Sequence, residues 1–258
     1  SSAPELNFVY QSATQAKPWS RAARGTDGDA LYSNSTLAID LDTGKIVWHR
    51  QHVPGETHDL DEAFENVLVD VGGRKSLFTM GKFGILWELD RRTGSFVRAT
   101  DLGIQKMLDL DRRTGRVSYR AGVVPKLEDV IDQCPSHLGV KNWPSMSYTP
   151  ETQALYIPFV MSCGKQGYTG VEQKPGGGGL GRGIMEPYVD PAGGGHAGGL
   201  IAIDSNGKTL WQHRQRAPFV SATLATGGGL IFVADYNRYV YAFDTRSGRV
   251  LWQARTGT

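Results

Sequence analysis

Charge of one sign is what this sequence fails to accumulate: 28 lysines and arginines face 26 aspartates and glutamates, a formal net charge of +2 over 258 residues. Phosphate backbones are held by clustered cationic faces, and no such cluster occurs, so nothing argues for nucleic acid as a partner. Long apolar runs are missing too. Charge, glycine or proline interrupts each one before the ~18 residues that a membrane-spanning helix needs. The opening Ser1-Ser2-Ala3-Pro4-Glu5 has neither a basic start nor an apolar segment, so no signal peptide is visible in the chain. No amphipathic helix of four turns is evident; Asp59 to Leu68 reads equally as two helical turns or as loop leading into a strand. Cysteine is scarce. Cys134 and Cys163 are too far apart for a CxxC metal knuckle or a haem-attachment motif, which leaves two buried thiols or one disulfide.

What is present is enough apolar material for a core, 40% against 21% charged residues, which excludes wholesale disorder. Glycine is rich, 33 residues. Short β-branched or aromatic runs ended by Gly, Asp, Asn or Pro predict strands at Asn7 to Tyr10, Val67 to Val71, Ser76 to Met80, Gly84 to Leu89, Leu155 to Val160, Leu200 to Asp204, Leu230 to Ala234 and Tyr239 to Asp244.

One cassette repeats. Leu37-Ala38-Ile39-Asp40-Leu41-Asp42-Thr43-Gly44-Lys45-Ile46-Val47-Trp48 recurs from Leu200 to Trp211 and from Tyr241 to Trp252, each with Trp four residues after Gly. Copies without Trp end at Gly94 and Gly115. Each copy predicts a hairpin whose Asp accepts turn N–H groups and whose Gly takes positive φ. Trp211 and Trp252 are spaced by 41 residues, which matches the ~40–45-residue period of four-stranded propeller blades. The expected fold is therefore all-β, a β-propeller of about four or five blades forming a single domain over 1–258. The glycine-rich stretch 164–199 is expected to be a loop insertion within it; it lacks the Gly-Lys-Ser/Thr of a phosphate cradle.

The cassette resembles the tryptophan-docking repeat of the eight-bladed pyrroloquinoline quinone (PQQ) dehydrogenases, and four further segments resemble their alcohol dehydrogenase branch, lanthanide-using members included. Gln15-Ala16-Lys17-Pro18-Trp19 is similar to the Asn-Pro-x-x-Trp loop that supplies a metal-binding amide, with Gln15 in place of Asn. Trp48 through Asp59 resembles Trp-x-x-Gln-x-x-Pro-His-Asp-x-Trp-Asp, whose last Asp is the catalytic base; this assigns Asp59 that role, with His58 where Trp is usual. Asp61 falls where lanthanide-using members carry an extra carboxylate. Lys82, in Met80-Gly81-Lys82-Phe83-Gly84, takes the place of the cation that hydrogen-bonds the quinone oxygens. The stretch from Cys134-Pro135 to Asn142-Trp143 and Met146 resembles Cys-Pro-x-x-x-Gly-x-x-Asn-Trp-x-x-Met, which assigns Asn142 and Trp143 to the cofactor and makes Cys163 the disulfide partner of Cys134.

The resemblance implies oxidation of a primary alcohol to an aldehyde by hydride transfer to PQQ, over Ca2+ or a lanthanide ion held by Gln15, Asp59 and Asp61. Oxygen donors of this kind suit a hard cation. It further implies a periplasmic setting and a cytochrome c-type acceptor, since the chain has no CxxCH of its own. It places the chain in an internal to C-terminal portion of such an enzyme, completed by the remainder of the propeller or by a second copy in a homodimer. The alternatives are a non-catalytic propeller scaffold for protein contacts and a sugar or polyol dehydrogenase of the same chemistry. Without the resemblance, Asp59 and Asp61 read as solvated loop charges, Lys82 as a turn lysine and Trp143 as core. His58, His137 and His196 show no ligand spacing and are read as non-ligands.

Overall fold

The structure, a computed structural model, describes residues 1–172 and 179–257. The chain divides into two compact units, one comprising Ser1–Gly139 with Cys163–Tyr188 and the other Val140–Ser162 with Val189–Thr258.

The first unit holds two four-stranded antiparallel sheets in consecutive order. One contains Ser2–Ala3, Phe8–Ala13, Ser35–Asp40 and Ile46–Gln51; the other contains Val67–Val71, Arg74–Met80, Ile85–Asp90 and Phe96–Asp101. A hairpin of Leu108–Asp111 with Arg116–Tyr119 follows, and Val130–Gln133 pairs with Ser162–Tyr168, which pairs in turn with Arg182–Val189. The second unit repeats the four-stranded plan twice, with Ser147–Thr149, Ala154–Val160, Gly198–Asp204 and Thr209–Gln215, then Leu224–Ala225, Leu230–Ala234, Tyr239–Asp244 and Val250–Arg255. These consecutive four-stranded sheets are propeller blades.

The cassette turns are built as their residue types dictate. Asp40 Oδ1 accepts from the N–H and hydroxyl of Thr43 at 2.8 and 2.7 Å, and Gly44 closes the turn at φ 68°. Asp244 does the same for Ser247, both contacts at 2.7 Å, ahead of Gly248, also at φ 68°. These hydrogen bonds, first of all from the Thr43 and Ser247 hydroxyls, hold both carboxyls below the usual range. Just before the turn, each third strand slips one residue against the fourth, at Ala38, Glu88, Ala202 and Ala242. This bulge strengthens the local twist.

The tryptophans lock neighbouring sheets. In the first unit Trp48 Nε1 donates to the Arg91 carbonyl at 3.3 Å and its ring lies beneath Gly94, where a Cβ would come within 2.5 Å of it. Tyr10 packs on that ring at 5.8 Å and its hydroxyl donates to the same carbonyl at 2.8 Å. The second unit reproduces this: Trp211 donates to the Thr245 carbonyl at 2.9 Å beneath Gly248, and Tyr156 lies 5.8 Å from the ring and donates to that carbonyl at 3.1 Å. Burial of so large a ring contributes about 2–3 kcal/mol. The copy that ends at Gly115 is met by Phe96 instead, whose ring a Cβ there would approach to 2.3 Å.

One reading left open is decided, and one expectation is corrected. Asp59 to Asn66 forms no helix, because Glu56, Leu60 and Glu62 turn inward and the segment follows the walls it packs against. Part of 164–199 is strand: Ser162–Tyr168 buries Cys163, Gln166 and Tyr168, and Arg182–Val189 lies alongside. Glycine hid these strands by diluting their apolar signal, and it is needed there. A Cβ on Gly164 would stand 3.0 Å from Ser136, and one on Gly167 3.3 Å from Val130. Of the glycine runs in that stretch, 176–178 lies outside the described residues.

Candidate active site

Three loops of the first unit carry four of the singled-out side chains. Gln15 follows Phe8–Ala13, Asp59 and Asp61 follow Ile46–Gln51, and Lys82 follows Arg74–Met80. Each is a second or fourth strand of its antiparallel sheet. Such strands run the same way, so the loops leaving them emerge at the same edge.

There they meet. Lys82 Nζ donates to the Asp59 carbonyl at 2.7 Å and lies 2.9 Å from Asp61 Oδ2 and 3.6 Å from Asp59 Oδ1. The Gln15 backbone N–H donates to Asp61 Oδ1 at 3.1 Å, and its side-chain amide donates to Asp59 Oδ1. The Lys82 N–H donates to the Asp61 carbonyl at 2.8 Å. Gln15, Asp59 and Lys82 are buried, and Asp61 is half-buried.

Two glycines outside the candidate set make this possible. A Cβ on Gly81 would stand 2.4 Å from the Asp61 carbonyl, so only glycine lets the Lys82 turn touch that loop. Gly139, at φ 75°, backs the Lys82 side chain, and its Cβ would lie 2.4 Å from Lys82 Cγ. The signal for Gly139 was its place as the glycine of the Cys134 motif; Gly81 carried none beyond its neighbour.

Asp59 is the unusual member. It holds φ 64°, a left-handed conformation rare for a residue other than glycine and concentrated at functional sites. Burial pushes its carboxyl up to about 6, against the pull of the Lys82 charge. Two carboxylates share one contacting ammonium, an arrangement with room for more positive charge. The donors present, two carboxylates and an amide, are those a hard cation takes, and they fit calcium or a lanthanide in kind. Three such side chains fall short of the ~6–8 oxygens calcium prefers.

The flanking acids and His58 do other things. Glu62, 1% exposed, accepts from the Phe83 N–H at 3.3 Å and from Trp87 Nε1 at 3.1 Å, fixing the loop beneath the site. Glu56 is fully buried, accepts from the His58 N–H, and is pushed up to about 7 by burial. His58 fills an aromatic slot, edge-on to Tyr119 at 5.5 Å and Tyr168 at 6.3 Å; burial, aided by the Arg21 charge, lowers its pKa to about 3. A neutral imidazole thus takes the place of an indole.

Cys134 and Cys163 form a disulfide in the first unit, with Cα atoms 4.2 Å apart. Asn142 and Trp143 belong to the second unit. Asn142 Oδ1 accepts from the Trp143 N–H at 2.9 Å, and Trp143 is 76% exposed. His196 Nδ1 is spent on the Gly193 carbonyl at 3.1 Å.

Residues 1–102 match the PQQ family described as "Glucose/ethanol/alcohol dehydrogenase, beta-propeller domain", and residues 171–258 match the one described as "Outer membrane protein assembly factor BamB". A quinoprotein ethanol dehydrogenase of Pseudomonas aeruginosa is 30% identical over 98% of this chain and 44% of its own length. A 1-butanol dehydrogenase (cytochrome c) of Thauera butanivorans is 32% identical over 98% of this chain and 40% of its own. The solved europium-containing methanol dehydrogenase superposes with a TM-score of 0.91 at 26% identity, covering all of this chain and 46% of that one. The chain therefore spans less than half the length of the curated relatives it matches.

Proposed function

From its membership of the PQQ-dependent quinoprotein alcohol dehydrogenase family, to which this chain belongs, we propose that it is part of an enzyme oxidising a primary alcohol to the aldehyde, with Asp59 as general base. The observation that carries this reading is the meeting of Gln15, Asp59, Asp61 and Lys82 from three separate loops, with Asp59 in a strained backbone conformation.

Bound PQQ would supply the hydride acceptor, and a calcium or lanthanide ion held by Asp59, Asp61 and Gln15 would supply polarising charge. The protein's own groups do the rest. With a pKa of about 6, Asp59 is mostly ionised at neutral pH yet basic enough to take the alcohol's hydroxyl proton. Gln15, bonded to Asp59 Oδ1, orients that carboxylate. Lys82 sets an ammonium beside the two carboxylates, where it would hydrogen-bond the quinone oxygens of bound PQQ. Burial of all three limits competing water. Asn142 and Trp143 are assigned to the cofactor, and the oxygen ligands still needed to the length of protein that the relatives possess beyond this chain.

The disulfide supports an oxidising, periplasmic setting, and the Thauera relative's description supports a cytochrome c acceptor. One observation favours a scaffold instead, the match of residues 171–258 to an assembly factor; that stretch holds none of the four clustered residues. Titration of the protein with PQQ plus calcium or lanthanum, followed by absorbance, tests the reading. Saturable, metal-dependent binding is expected, and its loss in Lys82→Ala with the fold retained; a spectrum unmoved by either metal refutes the site. Substrate profiling then separates simple alcohols from sugars and polyols.

A further inference from the structure

The first unit carries a second polar site that shares no residue with the Asp59 cluster. A pocket of about 270 Å³ opens between the Ile46–Gln51 strand, with the chain running on to Pro54, and the start of the Arg116–Tyr119 strand. Arg50, His52, Gly115 and Arg116 contribute to its wall. Arg50 Nη2 donates to the carbonyls of Thr114 and Gly115 at 3.2 and 2.9 Å, and its guanidinium lies over the Phe96 ring at 5.5 Å. Its Nε is buried with no hydrogen-bond partner. His52 is 1% exposed; its Nε2 meets Thr36 Oγ1 at 2.9 Å, while its Nδ1, also buried, has no partner.

Charge and geometry agree. Among the described residues, neither Arg50 nor Arg116 has a carboxylate within ion-pair distance. Burial, and then the charge of Arg116, hold the Arg50 guanidinium below its usual range, with no acid to offset them. His52 is neutral at physiological pH, since burial lowers its pKa to about 3. The Thr36 hydroxyl can donate to Nε2, and in that tautomer the imidazole carries its proton on Nδ1. Two guanidiniums balance a dianion, and the planar forks match phosphate oxygens.

We propose that this pocket binds the phosphate group of inorganic phosphate or of a small phosphomonoester, held by Arg50, Arg116 and the His52 Nδ1–H. Such a ligand would tie the Leu108–Asp111/Arg116–Tyr119 hairpin to the strand that leads into the Asp59 loop.

Calorimetric titration of the protein at fixed ionic strength tests this. Inorganic phosphate should bind saturably, and exposed Arg116→Ala should weaken it by about tenfold or more while leaving the melting temperature in phosphate-free buffer unchanged. Arg50→Lys, which keeps the charge but loses the Nε donor, should weaken it as well. A parallel arm with glycerol 3-phosphate distinguishes sources: tighter binding than inorganic phosphate marks a phosphomonoester site, equal or weaker binding an inorganic one. The proposal is overturned if phosphate fails to saturate below roughly 10 mM, if Arg116→Ala binds it unchanged, or if acetate binds as tightly.

Discussion

The two units use one construction for different ends. Trp48 under Gly94 with Tyr10 on the Arg91 carbonyl, and Trp211 under Gly248 with Tyr156 on the Thr245 carbonyl, agree so closely that either describes the other. Yet the first unit gathers Asp59, Asp61, Lys82, Glu56 and His58 inside one set of loops. In the corresponding turn of the second unit, Asp235 accepts from the Asn237 and Tyr239 N–H groups, both at 2.9 Å, and from the Tyr241 hydroxyl at 2.9 Å. Its carboxylate is spent on that turn and on Gln215 Nε2, which donates to it at 3.1 Å. The docked tryptophan is therefore a scaffold indifferent to chemistry, and chemistry resides in loops whose polar groups are left for one another.

That contrast can be broken first at Asp59. Asp59→Asn in the PQQ-loaded protein should lower dye-linked alcohol oxidation by about 10²–10⁴-fold with an unchanged circular dichroism spectrum, whereas Asp235→Asn should leave turnover within twofold. Equal losses would mean that the units are not divided in function. Next comes the scaffold. Gly94→Ala and Gly248→Ala each press a methyl group into a tryptophan at positive φ and should cost about 3 kcal/mol by chemical denaturation. Gly44→Ala, with the same φ but open space around it, should cost about 1 kcal/mol. Similar values at all three sites would show that docking contributes little.

The remaining effect is electrostatic. Glu56 in the first unit is pushed up to about 7 from 4.5, so between those values the folded form binds more protons than the unfolded one. Its contribution is fully present below pH 4.5 and is lost as pH rises through about 7. Glu56→Gln should flatten that slope by on the order of 2 kcal/mol, read from melting temperatures at pH 5 and 8. Asp244, held low by its turn, gives the second unit the opposite dependence: stability present above pH 3.8 and lost as pH falls further.

Strands of alternating or branched residues were legible, as at Val67–Val71, Leu230–Ala234 and Tyr239–Asp244, where expected and observed bounds coincide. Strands made largely of small or polar residues, such as Ser162–Tyr168, were not, because their stability comes from neighbours that close around a missing Cβ. Phe96 shows the same limit. It stands two residues after its glycine rather than four, and only the packing beneath Gly115 reveals that it fills a tryptophan's place. Within the candidate site, residue types and order could be read. The exposure of Trp143 and the burial of Glu56 could not, since both are set by residues distant in the chain.

By itself the sequence determined the repeat: local turn chemistry at Asp40, Asp204 and Asp244, and tryptophans spaced to reach the next blade, are properties of short segments and need no tertiary context. Only the tertiary structure decided that Gln15, Asp59 and Lys82 share one buried spot and that Arg50 and Arg116 face a pocket without an acid. Desolvation and charge proximity depend on what loops far apart in sequence do together, and no short segment carries that information.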